Sequence, residues 1–105
     1  MELNEKTLTK QSEEELDAIL EKYNVSKTDR GYRFLRQTIV TSYLCPGKKF
    51  SDIYEELSSV TGKSPSAVHM YVVRQVGKIS KENGRKWSIS DFVNLCINNM
   101  SNCGI

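Results

Sequence analysis

An all-α fold, a small bundle of about five helices, is what this 105-residue sequence predicts. Three observations carry that expectation. Apolar residues recur at i, i+3 and i+4 in five separate stretches. Each stretch is bounded by the Ser, Pro, Gly or Asn residues that start and stop helices. No linker is long enough to divide the chain, and its length suits one domain.

Residues 1–11 read as a polar, flexible N-terminal segment preceding a domain over 12–100. Ser12 is the expected cap of the first helix, with Glu15 three places on completing a capping box. Glu13 and Glu14 suit the positive helix end, and Leu16, Ile19, Leu20 and Tyr23 supply its apolar stripe. Asn24 and the polar SKTD run end it. The next stretch, GYRFLRQTIVTSYL, places Tyr32, Leu35, Ile39 and Tyr43 on one stripe with Phe34 and Val40 beside it. Its β-branched residues would also suit a strand, but the recurrence over three turns favours a helix. Pro46 and Gly47 then mark a turn.

FSDIYEELSSVTG is expected as a short helix capped by Ser51, with Phe50 in the staple position. Ile53, Tyr54 and Leu57 form its buried face, and Gly62 stops it. Ser64 is a second cap, followed by Pro65 at the first helical position, where its missing N–H costs nothing. Val68, Val72, Val76 and Ile79 face inward from this longer helix, and Gly84 ends it. Ser90 is the expected start of a last helix carrying Phe92, Val93, Leu95, Cys96 and Ile97. Residues 101–105 read as a flexible tail. Trp87 is expected as a core anchor and Arg36 as the partner of an acid.

Composition narrows the function. Net charge is only +2, but it is unevenly spread. Residues 1–30 hold five Lys/Arg against eight Asp/Glu, whereas residues 31–105 hold ten against five, which favours a polyanionic partner for the body of the chain. No apolar run reaches the roughly 18 residues of a membrane span. The polar start carries no secretory pattern. Cys45, Cys96 and Cys103 lack Cys-x-x-Cys spacing, and a single histidine cannot complete a zinc site. Reduced thiols in a cytoplasmic protein are expected, with no cofactor or metal. There is no catalytic constellation either: His69 lacks a Cys or Ser partner at motif spacing, and no glycine-rich phosphate loop is present. An enzyme is not expected.

The sharp turn before Pro65 is the sequence's most pointed feature. Two helices joined by three or four residues that include glycine are the mark of a helix-turn-helix. With Tyr54 as position one of the twenty-residue unit, small Ser58 falls at five and Gly62 at nine. Apolar Val68 and Tyr71 fall at fifteen and eighteen. Thr61 and Lys63, at eight and ten, are more polar than the usual pattern. Such a second helix aims its N-terminal N–H groups at phosphate and its first turns at base edges in the major groove. An ordinary αα-corner in a helical protein is the competing account.

GYRFLRQTI, FSDIYEELSSVTGKSPSAVHMYVVRQV and SISDFVNLCINNM, in that order, resemble the C-terminal DNA-binding domain of the master response regulator of sporulation initiation. The resemblance runs from about Leu16 to Met100. It is most specific at Gly31-Tyr32, Leu35-Arg36, Ile39, Ile53-Tyr54 and Ser66-x-Val68, and looser at Ser90-x-Phe92. It implies an all-α bundle whose Pro65 helix enters the major groove, binding short DNA boxes in tandem as a homodimer to regulate transcription. The family's phosphorylatable receiver domain has no counterpart in these residues, so phosphoryl control in cis is not expected. Where the family's recognition helix reads bases largely through Arg and Glu, this one offers Ala67, His69, Met70 and Val73, with Arg74 near the cationic position. A DNA box different from the family's own is therefore expected. ENGRKW is also shorter than the family's segment associated with polymerase contact, which favours repression or accessory binding over direct activation.

The candidate DNA contacts on the recognition helix are Ser64, Ser66, Ala67, His69, Met70, Arg74 and Lys78. Ser64 is a cap first. Ala67 offers only a methyl to thymine, and His69 divides between solvent, helix packing and base contact. Met70 and Tyr71 are of types that pack more often than they read bases. Arg74 and Lys78 share a face one turn apart, either solvated or in contact with phosphate or guanine. Lys48, Lys49, Lys63, Lys81, Arg85 and Lys86 are the candidate phosphate contacts in and around the flanking turns. The alternative is a protein-interaction module that has lost base readout and docks another transcription factor through Met70 and Val73.

Overall fold

The computed structural model describes residues 8–100. Of the flexible segments expected over 1–11 and 101–105, residues 1–7 and 101–105 lie outside the described residues, whereas Thr9 caps the first helix and Lys10 and Gln11 already belong to it. The described residues form five helices and no strand: α1 (Lys10–Lys22), α2 (Tyr32–Leu44), α3 (Phe50–Thr61), α4 (Pro65–Glu82) and α5 (Ile89–Asn99). None is long and apolar enough to cross a membrane.

α1 begins three residues before the expected boundary. Thr9, not Ser12, is its cap: the Thr9 hydroxyl accepts the Ser12 N–H at 3.1 Å. Ser12 sits inside the first turn, 5% exposed, where burial takes it away from a capping position. At the other end Asn24 takes φ 63°, a left-handed conformation that Asn tolerates better than most residues. Val25 N–H then reaches Leu20 O at 2.9 Å and Asn24 N–H reaches Glu21 O at 3.0 Å. This closing pair satisfies the last carbonyls and turns Val25 into the core.

α2 is the central helix, packing against α3, α4 and α5. Leu35, Thr38 and Ile39 are completely buried, and the Thr38 hydroxyl is satisfied by Phe34 O at 2.7 Å. Gly31, just before α2, lies against α4 so closely that an added Cβ would stand 2.8 Å from Tyr71 O and 2.5 Å from Gln75 Cγ. The Pro46–Gly47 turn leads into α3, with Gly47 at φ 92°. The expected Ser51 cap is not made. The N-cap is Lys49, without a side-chain bond, and Phe50 lies in the first turn, its ring stacked on Tyr54 one turn on.

α4 forms as the sequence implies. The Ser64 hydroxyl accepts the Ala67 N–H at 3.1 Å, Pro65 opens the helix, and Val68, Val72, Val76 and Ile79 are buried. Gly84 at φ 63° lets Arg85 N–H return to Ser80 O at 3.0 Å. α5 starts from Ser88 rather than Ser90, because the Ser88 hydroxyl meets the Asp91 N–H at 3.0 Å and Ile89 packs on the core as a helical residue. Trp87 is half-buried and edge-on to Tyr23 and Phe92, an aromatic cluster joining α1 to the start of α5. Arg36 pairs with Asp17 at 3.0 Å, fastening α2 to α1.

Candidate nucleic-acid interface

The connection between α3 and α4 is three residues, Gly62 to Ser64. Gly62 takes φ 79°, and its N–H closes α3 on Ser58 O. A side chain here would be strained by that φ alone, since the space around it is open. The left-handed residue reverses the chain sharply enough for Ser64 to cap α4 two positions later. Val68 is fully buried, and the Tyr71 ring stacks on Phe34 with centroids 5.0 Å apart, so one side of α4 is fixed against the bundle.

The other side is exposed. Ser66, Met70, Val73, Arg74, Gly77 and Lys81 recur at spacings of three and four and are all solvent-facing. Met70 is 48% exposed, so it is not the packing residue that its type suggested, and Val73, 40% exposed, lies on the outward face as expected. Arg74 and Lys81 have no acid partner among the described residues. Ala67 is half-buried on the first turn. His69 lies on the flank toward α3, exposed yet stacked on Tyr54 at 5.2 Å, so solvent and packing roles are combined. Ser64 keeps its hydroxyl proton free to donate, because its oxygen is the acceptor for the cap.

Lys78 is placed differently. Its ammonium donates to Asp29 Oδ2 at 2.7 Å, and the buried Gln75 amide donates to the same oxygen at 3.2 Å. This knot ties the α1–α2 loop to α4. The Lys78 ammonium, and after it the Gln75 amide, hold the Asp29 carboxyl below its ordinary value. Lys78 is thus not a free cation.

The expected phosphate contacts also divide. Lys49, Lys63, Lys81 and Lys86 are exposed and unpaired among the described residues. Lys48 is engaged by Glu56 across the start of α3, which raises its pKa. Arg85 lies over the Trp87 ring at 5.3 Å, a cation–π contact. Arg85 and Lys86 follow the far end of an 18-residue helix, roughly 27 Å from Lys63 at a rise of about 1.5 Å per residue. The six therefore do not form one patch.

Sequence reasoning missed a further set of cations. Lys27, Arg30 and Arg33 come together with Lys63 around a depression between the start of α2 and the α3–α4 turn. Their regular spacing of three residues was the one signal available in the sequence. No protein-family model, curated protein or solved structure matches this chain.

Proposed function

We propose that α3 and α4 form a helix-turn-helix and that the protein is a transcriptional regulator binding double-stranded DNA sequence-specifically. The observation that carries this reading is the outward face of α4. There Arg74 and Lys81 stand without acid partners on the same face as Ser66, about two and four turns further along a helix held rigidly from behind by Val68, Val72, Val76 and Ile79. An unpaired guanidinium on a solvent-facing helix has the donors to address guanine O6 and N7 or a phosphate. The first turn of α4 adds the positive end of the helix dipole and the Ser64 hydroxyl, both suited to a phosphate oxygen. Lys49 and Lys63 supply backbone contacts that position the helix without reading sequence. Tandem binding as a homodimer and a cytoplasmic location belong to the same reading.

A second reading has its own support. The exposed Met70 and Val73 give the centre of this face an apolar character suited to docking another transcription factor. Paired substitutions separate the two. Under the DNA reading, Arg74→Ala costs roughly 1–3 kcal/mol in binding and relaxes sequence preference if it reads a base. Lys49→Ala weakens all duplexes alike and makes the salt slope shallower by about one. Unchanged binding in both variants would refute this interface.

A further inference from the structure

We infer that the cleft between the start of α2 and the α3–α4 turn holds one phosphate strand of the duplex that α4 enters, an inference resting on the DNA-binding reading. The cleft encloses about 550 Å³ and is lined by Lys27, Arg30, Arg33 and Lys63, with Tyr32 and Tyr71 among the intervening residues. The four cations are exposed, and none has an acid partner among the described residues. The one carboxylate in the lining, Asp29, is already engaged by Lys78 and Gln75. Like charges gathered without counter-charges repel one another, and a polyanion relieves that repulsion.

The site continues onto α4. A second depression shares Asp29, Arg30 and Tyr71 with the first and reaches Arg74 and Lys78. Six cations and one carboxylate line the two, a net of +5 in a chain whose whole formal charge is +2. The lining is drawn from the α1–α2 loop, the first turn of α2, the α3–α4 turn and α4 itself. Such a path suits a strand of successive phosphates better than a single anion. The start of α2 adds to it. Gly31 provides no side-chain cap and the first turn has no acid, so no side chain of the helix itself offsets its positive end where Arg33 and Phe34 line the cleft.

The placement beside α4 makes this strand part of the same duplex. A helix with its side chains is about 10–12 Å across and the major groove about 12 Å wide, so a helix seated there brings structures on its flanks against the phosphate strands. The cleft occupies the Lys78 flank, and His69 against Tyr54 marks the opposite one.

The test is a backbone-amide NMR titration of the full chain with a mixed-sequence duplex of about 16 base pairs at about 50 mM salt, where phosphate-driven binding dominates. Amides of Arg30, Arg33, Phe34 and Lys63 are expected to shift together with those of α4. In the Arg30→Gln/Arg33→Gln double variant the salt slope is expected to become shallower by about two, with sequence preference unchanged. Lys27→Gln/Lys63→Gln, built on the same exposed groups, serves if the first variant loses the native spectrum. Shifts on α4 without shifts in the cleft, and an unchanged slope, would overturn the cleft while leaving the DNA reading standing. No shifts on either would overturn both.

Discussion

Replacing Asp29 with Asn isolates the knot between the α1–α2 loop and α4. The substitution hardly changes volume, and the Asn carbonyl still accepts from Gln75, whose amide is 3.2 Å from Asp29 Oδ2. What it removes is the negative charge 2.7 Å from the Lys78 ammonium. Lys78 is then free to turn toward a phosphate strand beside α4. One more neutralised phosphate steepens the dependence of log K on log salt by about 0.9, which corresponds to about eightfold tighter binding at about 0.1 M relative to 1 M. Fluorescence-anisotropy titrations of one duplex over a salt series measure both quantities. An unchanged slope and affinity would refute the reasoning by placing Lys78 off the path of the phosphates. The same variant changes acid sensitivity. Lys78, and then Gln75, depress the folded-state pKa of Asp29 below its ordinary 3.8. Its contribution to stability is therefore complete above 3.8 and is lost as pH falls through the folded value. The Asn variant lacks that portion of the acid limb, as urea unfolding at a series of low pH values would show.

Two further substitutions probe the frame of the site. In Gly31→Ala the new Cβ meets Tyr71 O at 2.8 Å, helix backbone that cannot swing aside. Overpacking of about 1–3 kcal/mol outweighs the roughly 0.4–1 kcal/mol gained by stiffening the unfolded chain, leaving a net loss of about 1–2 kcal/mol in urea unfolding. An equally stable or more stable variant would contradict this close approach of α2 to α4. Lys48→Ala is expected to leave the salt slope of DNA binding nearly unchanged, since Lys48 is held by Glu56, whereas the neighbouring unpaired Lys49 does contribute. A slope made shallower by about one in Lys48→Ala would show that Glu56 yields to phosphate.

The helices were legible because their periodicity and stop signals agree. Val68, Val72, Val76 and Ile79 lie on the inward side of α4, and Gly62 and Gly84 take the left-handed angles that end α3 and follow α4. The starts of α1, α3 and α5 were less legible. Thr9 and Ser12, or Ser88 and Ser90, offer two hydroxyls each, and tertiary burial of Ser12 and packing of Ile89 choose between them. Local pattern carries no such information. Charge pairing was hidden for a related reason. Arg36 finds Asp17 and Lys78 finds Asp29 across 19 and 49 residues, distances that only the packed bundle closes. The cationic cleft is the plainest case. Lys63 is remote in sequence from Lys27, Arg30 and Arg33, and the packing of Gly31 on α4 brings the two segments to one rim.

The most direct test of DNA recognition by α4 is selection of bound duplexes from a random pool at near-physiological salt, followed by titration of the best one against a scrambled control. A sequence-specific regulator is expected to yield a shared motif bound at least roughly a thousandfold more tightly than the control. No enrichment, with only weak and salt-sensitive binding to every duplex, would contradict the account and assign the outward face of α4 to a protein partner.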